Sequence, residues 1–295
     1  MSIVKSLSVG HGDMFYIKHN TDNFTIIDCC MPDDIWTDII EEIKRESKGK
    51  GIVRFISTHP DQDHIRGLVE LHQSLNLLNF YCTKNETTKE DETEDFNQYC
   101  DLRDDAGKVF FIKKGSTRRW MNESSDERGS AGISILWPII DNPHYKAALE
   151  DAHEGYSANN ISIIMKYKYS DGANIMWMGD LDTAFMEKIE NDIKLSSAHI
   201  LFAPHHGRDS GKVPQSWLDE IDPKLIVVGE APSEHLHYYP NYNTITQNSA
   251  GDITFECIEG KTHIYVSNED YSVSFLKNEY ISNRYGTYIG TLITK

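Results

Sequence analysis

A chain of 295 residues, 39% hydrophobic and 25% charged, has the balance of an ordinary globular protein and excludes a disordered or fibrous one. Its formal net charge of −17 repels a polyanion over about 8 Å at physiological salt, which excludes unaided binding along duplex DNA; the one small basic candidate is Lys113, Lys114, Arg118 and Arg119. No apolar run reaches the roughly 18 residues that span a bilayer, no leader-like segment is visible, and Cys29, Cys30, Cys82, Cys100 and Cys257, without CxxC spacing, read as free thiols of a reducing, cytoplasmic compartment.

Along the chain, Ile3 to Val9, Met14 to Lys18 and Phe24 to Ile27 read as short strands between Gly/Asn turns. Ile35 to Arg45 has helical spacing, with Ile35, Ile39, Ile40 and Ile43 on one face, and Gly49 and Gly51 end it. Ile52 to Ser57 predicts a buried strand, followed by a polar loop and a helix from Ile65 to Leu77. This alternation argues for an α/β fold. Residues 84–105 turn polar and acidic and predict a solvated insertion or exposed helical excursion; residues 115–130 are a second polar insertion. Strands return at Val109 to Lys113, Gly132 to Trp137, Ile161 to Tyr169 and Asn174 to Met178, and Asp182 to Glu190 looks helical. Ala198 to Ala203, Leu225 to Gly229, Ile253 to Cys257, Thr262 to Val266 and Ser272 to Leu276 complete a β-rich end. With no repeat, linker or boundary signal, residues 1–295 are expected to form one domain, a sandwich of two mixed sheets covered by helices.

The chemistry is concentrated in Thr58-His59-Pro60-Asp61-Gln62-Asp63-His64, between a predicted strand and a predicted helix. Four potential ligands fall within six residues, and imidazole nitrogen and carboxylate oxygen are the donors that hard-to-borderline divalent ions take. Four ligands cannot complete two ions, so more must come from elsewhere. Asp180 ends the strand signal Trp177-Met178-Gly179, and His205 and His206 follow Ala203-Pro204. Three clusters at strand tips can converge on one sheet edge, as sites in α/β folds do.

The pattern His-x-Asp-x-Asp-His with downstream Gly-Asp and His-His-Gly resembles the metallo-β-lactamase superfamily, and within it the soluble hydrolase domain of the DNA-uptake protein ComEC. That branch also has Asp where most relatives have a second His, as at Asp61. Its flanking motifs are similar to Val9-Gly10-His11-Gly12-Asp13, Asn160-Ile161-Ser162, His205-His206-Gly207-Arg208, Val228-Gly229, His237 to Pro240 and Gly251-Asp252-Ile253, over residues 3 to 255.

The resemblance implies an αββα sandwich of two mixed β-sheets flanked by helices, with two divalent metal ions, zinc first. Manganese competes because Asp61 hardens the donor set. It implies His59 and Asp61 on one ion, Asp63 and His64 on the other, and Asp180 bridging. His205 or His206 completes the second site; His205 is taken as the ligand and His206 as a catalytic residue. Asp28 is implied as a structural support, with Asp13 in a similar place.

Departures are visible at Asn160, where relatives place a histidine, with His153 the nearest substitute, and at Tyr239, where relatives place another. His237, two residues upstream, is the candidate for proton donation or substrate contact, and His235 is a weaker one.

The implied mechanism is attack by a hydroxide made when two cations lower the pKa of a shared water towards 7. Asp63 orients it and takes a proton, and His205, His206 or His237 assists the leaving group. A helix dipole from Ile65 onward is expected to face the site. The expected substrate is an anionic phosphodiester of nucleotide or nucleic acid, the latter delivered by a protein partner; no membrane is expected as a partner. The alternatives are hydrolysis of a lactone, thioester or β-lactam, or a non-catalytic partner protein.

Overall fold

Strands whose successive side chains are all apolar must be covered on both faces, and the central strands of this chain are of that kind. The computed structural model describes residues 1–232 and 237–295. Among them, the strands in chain order are β1 (Ser2–Ser6), β2 (Phe15–Lys18), β3 (Asn23–Ile27), β4 (Ile52–Ile56), β5 (Phe80–Cys82) and β6 (Val109–Phe111). There follow β7 (Ile133–Trp137), β8 (Ile164–Lys168), β9 (Asn174–Trp177), β10 (Ile200–Phe202), β11 (Leu225–Val228) and β12 (Thr244–Thr246), then β13 (Ile253–Ile258), β14 (Lys261–Val266) and β15 (Thr287–Ile293). One sheet has the order β15-β14-β13-β1-β2-β3-β4-β5-β6 and the other β12-β11-β10-β9-β8-β7. Both are mixed: β3 to β6 and β9 to β12 pair parallel, and the remaining pairs are antiparallel.

Alternation sorts the side chains into layers. On β9, Ile175 and Trp177 enter the core between the sheets, while Met176 and Met178 face outward; β10 repeats this with Ile200 and Phe202 against Leu201 and Ala203. The inward set meets Phe15, Ile17, Ile27 and Ile56 of the first sheet. The outward set is covered by α5 (Pro143–His153), α6 (Thr183–Lys188) and α7 (Gln215–Ile221). The first sheet's outer face is covered by α1 (Trp36–Ser47), α3 (Leu68–Leu75) and α4 (Glu94–Asp104). The layers therefore run α, β, β, α, the sandwich of two mixed sheets expected from the sequence.

Several local expectations are corrected. The predicted helix from Ile65 to Leu77 is broken into α2 (Gln62–Ile65) and α3 at Gly67, whose φ of 87° is left-handed. Residues 84–105 contain a helix, one of the two expectations, but it is packed on the first sheet and is not an exposed excursion. Thr93 caps α4 by accepting from Phe96 N, and the Phe96, Tyr99 and Leu102 side chains are buried against the first sheet, an i, i+3, i+6 stripe hidden by the surrounding acids. Within 115–130, Met121 enters the inter-sheet core, and the buried Arg54 donates to Trp120 O at 3.1 Å, pinning that segment. The strand expected at Ser272 to Leu276 does not form, and β15 takes the edge beside β14. Strands β5, β12 and β15 and helices α5 and α7 were not foreseen. For α5 a signal existed: Asn142 accepts from His144 N and Tyr145 N, with Pro143 following it. The five cysteines are unpaired, and among the described residues no helix is long and apolar enough to cross a membrane.

Gly67 sets how the chain leaves the 59–64 loop. A Cβ there would meet Met31 Cε at 2.6 Å as well as occupy a left-handed backbone. Gly67→Ala is expected to lower stability by about 1–3 kcal/mol in urea unfolding; an unchanged midpoint would show that the break tolerates a side chain.

Candidate metal centre

The site lies where the C-terminal ends of β3, β4, β9 and β10 stop and their loops begin. Parallel pairing of β3 with β4 and of β9 with β10 brings those ends to the same edge. The loops are held tightly. Gly179 (φ 53°) has Ser162 Oγ only 2.6 Å from where a Cβ would stand, and Ser162 Oγ accepts from Asp180 N at 3.0 Å. His205 and His206 both have left-handed backbones, φ 52° and 55°, a strained pair of the kind found where function dictates geometry.

Asp28 is the central fixture of the first sheet's contribution. Its fully buried carboxylate accepts from Thr58 N (2.7 Å) and Thr58 Oγ1 (2.6 Å) and holds His64 Nδ1 at 2.9 Å. That bond turns His64 Nε2 towards Asp180, whose Oδ1 is 3.1 Å away. Asp180 Oδ2 lies 3.5 Å from His206 Nε2 and 3.9 Å from His205 Nε2. His206 Nδ1 is 3.1 Å from Asp13 Oδ1, and its Nε2 is 3.3 Å from Asp63 Oδ2. Asp13, His64, Asp180 and His206 each offer a donor atom within 4.8 Å of the others.

The electrostatics follow from these distances. Burial opposes charge on His64, but Asp180 and Asp28 outweigh it and raise the imidazole well above its usual range. Burial likewise opposes charge on His206, and Asp180 with Asp13 reverses it. Burial also opposes ionisation of Asp180, yet His64 and His206 hold its carboxyl well below the ordinary range. Asp63 is lowered too, burial being overcome by the His206 hydrogen bond. His59 moves the other way, lowered first by burial and then by His64 beside it. Buried carboxylates thus demand positive charge at one small locus.

The donors fit a divalent cation. His59 Nε2 is buried and makes no hydrogen bond, and His64 Nε2 and Asp180 Oδ1, 3.1 Å apart as an ion pair, are buried without hydrogen-bond geometry; buried polar atoms of this kind are costly unless a charge engages them. Nitrogen and carboxylate oxygen are the right chemistry.

The expected residues are distributed unevenly. His59, Asp63, His64, Asp180 and His206 converge, with Asp13 joining them. His206, not His205, is buried in the cluster; His205 is at the rim, with Nδ1 2.9 Å from Ser210 Oγ and 3.8 Å from Asp182 Oδ1. Asp61 Oδ2 is 3.6 Å from His59 Nε2, while its Oδ1 pairs with Lys89, a partner the sequence did not indicate. His237 is exposed, and among the described residues no hydrogen bond or ion pair ties it to the cluster; His235 lies outside the described residues.

Asn160 replaces the absent histidine with a structural role, its amide donating to Asp182 Oδ2 and accepting from Asp182 N. His153 does not substitute: its Nδ1 is 3.0 Å from Glu86 O. The expected helix dipole is also corrected. Asp95 of α4 accepts from Gly67 N and Val69 N, so a carboxylate already occupies the start of α3. Asp95 and Thr93 also bond Gln62, bracing the ligand loop from α4.

No protein-family model and no curated protein matches the chain. Among solved structures it is similar to the metallo-β-lactamase fold protein YhfI from Bacillus subtilis, at 10% identity and TM-score 0.46, over 83% of this chain and 96% of that one. It is similar to a Glu-to-Asp mutant of CmlA β-hydroxylase, at 11% identity and TM-score 0.48, over 86% of this chain and 53% of that one. The diiron β-hydroxylase CmlA from Streptomyces venezuelae gives 11% identity and TM-score 0.42, over 78% and 44%. The chain spans about half the length of the two CmlA chains. Likenesses this low carry no argument about the site, which stands on its own residues.

Asp28→Ala is expected to cost about 3–5 kcal/mol, because it strips a buried ion pair of one partner. Urea unfolding checks it, and a loss under about 1 kcal/mol would remove Asp28 from its bracing role.

Proposed function

We propose that the chain is a metal-dependent hydrolase of the metallo-β-lactamase superfamily, acting on phosphodiesters and similar in its motifs to the ComEC hydrolase domain. The observation that carries this reading is the convergence of Asp13, His64, Asp180 and His206, from loops of both sheets, with donor atoms within 4.8 Å of one another. Zinc is the first candidate and manganese the competitor. When bound, a divalent ion supplies a lowered water pKa and stabilises charge developing on the substrate.

The chain's residues divide the remaining work. His64, Asp180 and His206 would hold the ion, with Asp13 and His59 beside them. This assigns His206 to the metal and frees His205. Asp63, part-exposed and bonded to His206, orients the attacking water and accepts its proton. His205, at the rim with its Nδ1 2.9 Å from Ser210 Oγ, is placed to assist the leaving group. Asp28 fixes the His64 tautomer through Nδ1, a support that metal-binding histidines commonly have. The acidic surface favours a small phosphodiester, or a nucleic-acid strand delivered by a partner protein, over unaided binding to long DNA.

Turnover of bis(p-nitrophenyl) phosphate against a generic lactone separates phosphodiester from carbonyl chemistry; hydrolysis of the lactone alone overturns the substrate class, and turnover of neither with metal bound favours a non-catalytic protein. Asp180→Asn should lower turnover by at least about 100-fold with the fold retained by circular dichroism. His206→Ala should lose metal, whereas His205→Ala should keep metal and lose roughly 10²–10⁴ in rate. Equal metal loss in both would undo the division between them.

A further inference from the structure

Asp61 stands at a position expected to bind the first of two ions, yet its carboxylate is already engaged. Lys89 pairs with Asp61 Oδ1, and the two side chains are only 23% and 20% exposed. The choice of partner is informative. Lys89 lies in an acidic stretch, with Glu86, Glu90, Asp91, Glu92, Glu94 and Asp95 around it. Among the described residues its ion-pair partner is nevertheless Asp61, 28 positions away. The segment that delivers it is anchored: Thr88 N and Oγ1 donate to Ala152 O and His153 O at the end of α5. On the other side, the loop bearing Asp61 is tied to α4 through Gln62, Thr93 and Asp95.

Among the described residues the set of donors lying within 4.8 Å of one another is Asp13, His64, Asp180 and His206, and it includes neither Asp61 nor His59, the pair expected on the first ion. A divalent ion on Asp61 would sit beside an ammonium group, and like charges at that separation repel strongly in a part-buried site.

We propose that Lys89 is a positioning residue whose ammonium takes the place of one of the two cations, so that the chain binds a single divalent ion, with Asp61 neutralised by lysine rather than by metal. This inference rests on the metal-centre reading above and changes its stoichiometry. It also puts a fixed positive charge at the rim of the site, where an anionic substrate group would approach.

The test is metal uptake by the full chain. Chelator-treated protein is dialysed against Zn²⁺ and, separately, Mn²⁺, and bound metal is measured by elemental analysis. The wild type is expected to hold one ion per chain and Lys89→Met two. Asp61→Asn should keep the single ion with affinity within about threefold of wild type, because Asp61 is not its ligand. Two ions in the wild type, one ion in Lys89→Met, or loss of the tight ion in Asp61→Asn would each overturn the proposal. No ion in the wild type or in either variant would overturn the metal-centre reading itself, and this inference with it.

Discussion

Asp28, His64 and Asp180 form a buried line of carboxylate, imidazole and carboxylate, and the architecture of the site is arranged to make that line tolerable. An ionised carboxylate removed from water is costly unless it is paired and hydrogen-bonded. Asp28 meets this with three donors from a neighbouring loop and ring. Asp180 has His64 and His206 on either side, yet Oδ1 makes no hydrogen bond. That gathering of buried carboxylates and imidazoles makes the junction a candidate cation site.

The two sheets contribute unequally and interdependently. Asp13, Asp28 and residues 59–64 come from loops of the first sheet, while Asp180, His205 and His206 come from loops of the second. Their meeting depends on the shared core, where Phe15 packs against Trp177 and Phe202 at centroid distances of 6.1 and 4.8 Å. Those aromatic contacts lie on β2, β9 and β10, directly beneath the ligand loops. Local strain at His205 and His206 is therefore held in place by burial that neither sheet achieves alone. Helix α4 adds a brace from outside, through Asp95 and Thr93.

The proposed replacement of one metal ion by lysine would have a chemical consequence. An ammonium neutralises one carboxylate charge but offers no Lewis acidity and coordinates no water, so activation of a nucleophile would fall to a single ion with Asp63 and the histidines around it. On the proposed reading, the overall charge of −17 would make such local cations more conspicuous to an anionic substrate, since elsewhere the surface repels it.

The sequence by itself determined the α/β class, the pair of covered sheets, and the three strand-tip clusters around His59–His64, Asp180 and His205–His206. Apolar runs and ligand spacing are local properties, and they survive folding unchanged. Tertiary structure decided what no local pattern contains. It put Lys89 on Asp61 and Asn160 on Asp182, and it buried His206 while leaving His205 at the rim. It also converted an acidic stretch into α4: Phe96, Tyr99 and Leu102 are too few to dominate a window crowded with carboxylates, and only the outer face of the first sheet gives them something to cover. Side-chain partners far apart in the chain are fixed by packing and charge together, which is why they became visible only once the two sheets were in place.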